Sequence, residues 1–367
     1  MKDQTKKFTT IHYQKYLELD KILDAQKLRS IELEGKAAHD EMLFIVTHQV
    51  YELWFKQILH EIESVMDMFS KDDVDERNVG TAVHRLKRVI EIQKLLINQI
   101  GIIETMTPLD FLEFRNYLFP ASGFQSFQFR LVESLLGLED GSRLTYNNKP
   151  YENAFDEGQR EMLKEIKNSN SLFDLVETWL ERTPFLQFEG FEFIDHYKKA
   201  VEEMINKEEK LIKKSNYLSE DEKEMRLKML GNTDSYYGII IDENTHQNMK
   251  DEGKLRLSYN ASVAALLISL YRDEPILNQP FQLLTCLVEI DELLTSWRYR
   301  HAQMVLRMLG KKIGTGGSSG YDYLHATAVK HHIFSDFHNI STLLIPRSEL
   351  PDLPPEIRQE LGFYYTK

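Results

Sequence analysis

Residues 297–324, WRYRHAQMVLRMLGKKIGTGGSSGYDYL, join a helix with a histidine on its apolar face to a glycine-rich loop. Trp297, His301, Met304 and Met308 recur at helical spacing and form one stripe. Gly310, followed by two lysines, reads as the helix C-terminus. The loop Gly314-Thr315-Gly316-Gly317-Ser318-Ser319-Gly320 then offers backbone N–H groups and small hydroxyls with little bulk, which suits close approach to a ligand. A buried neutral imidazole beside such a loop suits an axial metal or haem ligand. A core histidine followed by a tight turn is the plainer reading, and both fit this stretch taken alone.

Outward from this stretch the chain reads as helix. Upstream, apolar periodicity begins at Ser258 (SYNASVAALLISLYRD), with breaks expected at Pro275 and Pro280 before the His301 helix. Downstream, residues 323–345 read as helical, and the spacing of His325, His331, His332 and His338 matches neither HExxH nor a zinc finger. The tail from Pro346 reads as extended packing over the surface. The most strongly helical segment is 39–69, where Phe44, His48, Tyr51 and Phe55 share a face at spacings of four, three and four. His48 thus sits in an aromatic wall, as a satisfied core histidine or as a polar group that orients a flat ligand by one hydrogen bond. A second helix is expected over about 79–99, its His84, Arg85, Lys87 and Arg88 forming a solvated face. In 104–130, Thr107-Pro108-Leu109-Asp110 is a helix start, Phe111 and Arg115 share a face, and the helix is expected to end near Phe119, before Pro120. Ala121-Ser122-Gly123 is a small-residue turn into a further helix that carries Arg130. Arg115, among aromatics, needs an anion, from a protein carboxylate or from a ligand.

The pattern predicts an all-α chain, one large helical domain over 1–367 with no internal repeat and no convincing strand set. Residues 11–26 form an aromatic-rich arm with Tyr13, Tyr16 and Leu17, which packs on its own core or reaches a neighbouring subunit; core packing is the default for aromatics. The Lys- and Glu-rich character of about 137–257 reads as a peripheral helical excursion. A net charge of −13 argues against nucleic acid as the main partner. The lone Cys286, the absence of an apolar signal segment at the start and the lack of a bilayer-length apolar run point to the cytoplasm and not to a membrane.

Three long motifs resemble the tryptophan 2,3-dioxygenase family: HDEMLFIVTHQVYELWFKQILHE, MTPLDFLEFRNYLFPASGFQSFQFRLVESLLG and the opening stretch itself. The YxxYLxLDxIL arm, WLERTP at 179–184 and PFQLLT from Pro280 extend the resemblance over most of the chain. The resemblance implies a haem b enzyme, active in the ferrous form and assembled as a homotetramer. It would cleave the indole C2–C3 bond of L-tryptophan with O2 to give N-formylkynurenine, the first step of the kynurenine pathway. Residue by residue, it implies His301 as axial haem ligand with Trp297 beside it, and His48 as the distal histidine at the indole N–H. Phe44 would pack on the indole, Arg115 would clamp the substrate carboxylate, and Thr315 would bind its ammonium and carboxylate. Ser122 and Gly123 would form the distal turn, and Arg130 would contact a haem propionate. Tyr13, Tyr16 and Leu17 would complete a neighbour's pocket. Phe111 stands where some members carry tyrosine, so no hydroxyl hydrogen bond is expected there.

Overall fold

The computed structural model describes residues 10–144, 151–184, 186–188, 191–310 and 320–363. The chain enters as an arm of short helices, α1 (Tyr13–Tyr16), α2 (Leu19–Leu23) and α3 (Arg29–Glu34). Tyr13 and Tyr16 are each 70% exposed, so the arm's aromatic face does not pack on its own core, contrary to the default for aromatics. The arm is tied down near its end. Buried Glu41 accepts hydrogen bonds from the backbone N–H groups of Arg29 (2.7 Å) and Ser30 (3.0 Å).

Helices α4 (Glu41–Phe69) and α5 (Glu76–Ile103) follow and pack together. On α4, Phe55, Ile58, Ile62, Val65 and Phe69 recur every three or four residues and are all buried, the stripe an amphipathic helix turns to a core. Asp75 starts α5 by accepting from the Arg77 N–H at 2.8 Å. Helix α6 (Pro108–Phe114) begins with the expected cap: Thr107 and Asp110 form a reciprocal capping box with Pro at the first position. It stops earlier than expected, at Phe114, and tightens into a 3-10 turn over Arg115–Leu118. Helix α7 (Phe127–Leu136) ends at Gly137, whose φ of 112° and contacts require glycine. An added Cβ would meet Ser171 Oγ at 2.7 Å and Phe173 Cβ at 2.8 Å.

Next come α8 (Glu157–Lys167), α9 (Leu172–Glu181), a two-residue antiparallel pair β1 (Gln187–Phe188) and β2 (Phe191–Glu192), and α10 (Phe193–Lys214), α11 (Glu220–Ile241) and α12 (Glu243–Asp251). The expected peripheral excursion is therefore only partly peripheral. Helix α9 buries Leu172, Phe173, Leu175, Val176 and Leu180, and α10 roots in the core through Phe193, Tyr197 and Val201. The outer ends of α10 and α11 do project, with Leu211, Tyr217 and Met229 exposed.

Helix α13 (Tyr259–Leu270) is apolar on every side and buried throughout Ala261–Ile268. Helix α14 (Pro275–Leu309) accepts Pro275 in its first turn and runs through Pro280 without the expected break. An interior proline costs about 3 kcal/mol, whereas each buried Leu or Ile beyond it contributes about 1.5–3 kcal/mol. Leu283, Leu284, Leu287, Ile290 and Leu294 are all buried, so continuation wins. The chain closes with α15 (Gly320–Lys330), α16 (Ser335–Ile340) and α17 (Pro355–Leu361). The tail is thus not only extended: Ile357 and Leu361 of α17 are 1% exposed and join the core. Helices α4, α5, α7, α9, α13 and α14 supply most of that core. Among the described residues, no helix is long and apolar enough to cross a membrane.

Candidate functional site

A second, smaller apolar cluster sits where the start of α4, the end of α5, α6 and the end of α14 converge. Ile103, Met106, Phe114 and Met308 are buried in it, with Phe44, Phe111 and Met304 packed around them. It therefore gathers three regions singled out in the sequence: the Phe44/His48 stripe, the Phe111/Arg115 helix and the His301 helix.

The α4 wall is built from an i, i+4 pair. Phe44 and His48 lie with ring centroids 4.1 Å apart, and Phe44 packs against Phe111 at 5.7 Å and Phe114 at 5.6 Å. His48 Nδ1 lies 2.7 Å from the Phe44 carbonyl oxygen. A carbonyl only accepts, so Nδ1 carries the proton and Nε2 is left as an acceptor. Burial lowers the His48 pKa below 6.5, outweighing the opposing effects of the Phe44 carbonyl and Glu52. The ring nevertheless retains substantial solvent access.

His301 stands on α14. Burial, and secondarily the proximity of His48, push its pKa down to about 4, so the ring is neutral at neutral pH. Its Nδ1 is buried with no hydrogen-bond partner among the described residues. Trp297, one turn earlier, packs against it at 5.3 Å and is itself held among Tyr51, Phe55 and Phe129 at 6.1, 6.2 and 5.0 Å. Arg300, adjacent to His301, makes a two-pronged ion pair with Glu104 (2.6 and 2.5 Å), which pins α14 to the end of α5 just before α6 begins.

Arg115 opens the 3-10 turn after α6 and is half-buried. From there the chain runs to Ser122, whose hydroxyl accepts from the Phe124 N–H at 3.4 Å and whose N–H donates to Gln125 Oε1 at 3.1 Å. A Cβ built on Gly123 meets nothing within 4 Å, so the fold itself does not demand glycine there. Thr315 and the rest of the loop from 311 to 319 lie outside the described residues. Tyr13, Tyr16 and Leu17 are on the arm, with both tyrosine rings turned outward.

Arg130 lies on α7. It is buried and pairs with Glu133 at 2.8 Å, where Arg143 and Arg298 also converge at 2.8 Å each. Three buried guanidiniums thus share this one carboxylate. Burial alone would raise the Glu133 pKa, but the guanidiniums and His331 hold it well below the usual carboxylate range. Sequence reasoning passed over Glu133, Glu52 and Glu104. Glu133 left a local signal, an i, i+3 spacing from Arg130 on an otherwise apolar helix, and Glu52 another, at i+4 from His48.

Comparison with known proteins follows the same lines. The sequence profile of the family described as tryptophan 2,3-dioxygenase matches residues 2–344. The chain is 50% identical over 359 residues to a tryptophan 2,3-dioxygenase of Bdellovibrio bacteriovorus, covering 98% of this chain and 100% of that one. It is 50% identical to that of Alteromonas mediterranea, covering 96% and 97%, and 47% identical to tryptophan 2,3-dioxygenase B of Danio rerio, covering 97% and 86%.

Proposed function

Because the chain belongs to the tryptophan 2,3-dioxygenase family, we propose that its active site lies at the junction of α4, α6 and α14. The enzyme oxidises L-tryptophan with O2 to N-formylkynurenine, opening tryptophan catabolism. The observation that carries the site assignment is the convergence of α4, α6 and α14 on one apolar cluster, with His48 packed on Phe44 and His301 one turn before Met304.

The family is haem-dependent, and the residues here fit that group. A neutral imidazole is the form that ligates iron, and His301 is held neutral with an orphaned ring nitrogen and a Trp297 buttress. His301 would hold haem b through the iron, and the haem would supply O2 binding and activation. The remaining work falls to the chain. His48, with Nδ1 committed to the Phe44 carbonyl, presents Nε2 to accept the indole N–H. Its lowered pKa makes it a weak base, so it orients the ring and tunes its electron density. Phe44 packs on the indole, while Phe111 adds apolar surface and no hydroxyl bond. Arg115 binds the substrate carboxylate, and Thr315, assigned from its motif alone, binds ammonium and carboxylate. The open space beside Gly123 suits backbone approach, with Ser122 next to it.

Assembly as a homotetramer is supported by the arm, whose Tyr13 and Tyr16 are too exposed to serve their own core; with Leu17 they complete a neighbour's pocket. Cys286, buried and with its thiol pushed up to about 11 by burial, suits a reducing cytoplasm. The test is turnover of L-tryptophan by haem-loaded protein under O2, read as formylkynurenine absorbance, with D-tryptophan and indole as controls. Rapid turnover of L-tryptophan is expected. Its absence from a fully haem-loaded protein overturns the reading.

A further inference from the structure

Phe44, His48 and Glu52 lie at i, i+4 and i+8 on α4, and so along one side of the helix. Glu52 is half-buried and reaches across to the chain just before α7. Its Oε1 accepts from the Ser126 hydroxyl at 2.6 Å and its Oε2 from Gln128 Nε2 at 2.9 Å; the same amide nitrogen also donates to the Glu52 backbone carbonyl at 2.9 Å. These bonds set a direction. Because the Ser126 hydroxyl donates to the carboxylate, its lone pairs face the helix and accept from the Phe129 N–H at 3.3 Å, capping α7. Upstream, the Ser126 N–H donates to the Gly123 carbonyl at 3.1 Å, and the Gln125 N–H to the Ser122 carbonyl at 2.9 Å. One carboxylate is thus linked through a short chain of bonds to the turn that carries Ser122 and Gly123.

We propose that Glu52 is a positioning residue for the oxidation, fixing the distance between the Phe44–His48 wall and the Ser122–Gly123 turn. The inference rests on the reading that both line the active site. Three charge-assisted or neutral bonds converge on one residue, and each ties α4 to the α7 entry, 74 or 76 residues away in sequence. A carboxylate suits the position because it only accepts, and both side chains facing it donate. An amide there offers one oxygen to two donors, so one of the two bonds must reverse or be lost.

The test is steady-state kinetics of haem-loaded E52Q, with thermal stability recorded alongside. A misplacement on the order of 1 Å costs up to about 100-fold, so KM for L-tryptophan should rise about 10- to 100-fold, with a smaller change in kcat. The exchange E52Q/Q128E restores a carboxylate–amide pair with reversed polarity and should recover most of the lost kcat/KM. A merely structural role would lower thermal stability and leave KM at the parent value, and that result overturns the proposal. So does a double variant no better than E52Q. If E52Q does not fold, S126A and Q128L decide, since each removes one arm of the clasp: raised KM in both supports the proposal, and unchanged KM in both refutes it. H48A and R115A separate the two levels of inference. If neither impairs turnover, the site assignment fails; if both do and E52Q does not, only the role of Glu52 fails.

Discussion

Glu133→Gln removes the one carboxylate on which three buried guanidiniums converge. In the parent, Arg130, Arg143 and Arg298 each donate to Glu133 at 2.8 Å, and their side chains are 8%, 5% and 2% exposed. The glutamine keeps the shape and one acceptor oxygen but removes the charge, leaving cations that water cannot reach. Breaking a buried pair by removing one partner costs about 3–5 kcal/mol. At roughly 2 °C per kcal/mol for a chain of this size, the thermal midpoint should fall by about 6–10 °C. Matched urea and thermal unfolding of parent and variant measure it, with disruption of the exposed Lys213–Glu209 pair as control. That control should change stability by about 0–1 kcal/mol. The cluster joins α7 to α14 and, through Arg143 and His331, to the segments flanking them, so the loss should appear in the cooperative transition. A Glu133→Gln variant as stable as the control would show that this carboxylate does not hold the three guanidiniums in place.

Arg115→Ala should weaken L-tryptophan binding by about 2–5 kcal/mol, the cost of a lost buried charge pair, read as a raised KM or Kd; unchanged affinity removes the clamp assignment. His48→Ala should slow turnover without abolishing it, and added imidazole should restore part of the rate. Complete inactivity that no buffer base rescues would instead favour an obligatory base. His246 is 1% exposed, its Nε2 3.1 Å from Ser262 Oγ, and burial followed by Lys250 lowers its pKa below 6.5. The unfolded chain therefore takes up this proton before the folded one as pH falls below 6.5, and stability is lost in that window. His246→Gln should flatten the slope of stability against pH there, and an unaltered slope would contradict it.

The parts of the fold that were legible in sequence were those set by local pattern. The Thr107 cap with Pro108 and the Gly310 stop are each written within a few residues, and each formed as read. What was misread depended on partners far away in the chain. The Arg298–Glu133 pair, 165 residues apart, forms only on folding. Helix α9 lies in a charged neighbourhood of sequence, yet its apolar face docks on α13 and α4. Pro280 read as a break because local propensity cannot weigh the burial that follows it. The site was legible as separate types, an aromatic wall, a cation and an apolar-face histidine. The convergence of Phe44, Phe111, Met304 and Met308 in one cluster was legible only through the family resemblance, since no periodicity encodes which helix ends meet.

His301 is proposed to hold the haem iron at the helix junction it shares with His48. Haem titration of parent and His301→Ala, followed by the Soret band and by turnover of L-tryptophan, tests it most directly. The parent should bind haem stoichiometrically and turn over, while the variant loses tight binding and activity together. A fully haem-loaded His301→Ala enzyme with normal activity would contradict the account.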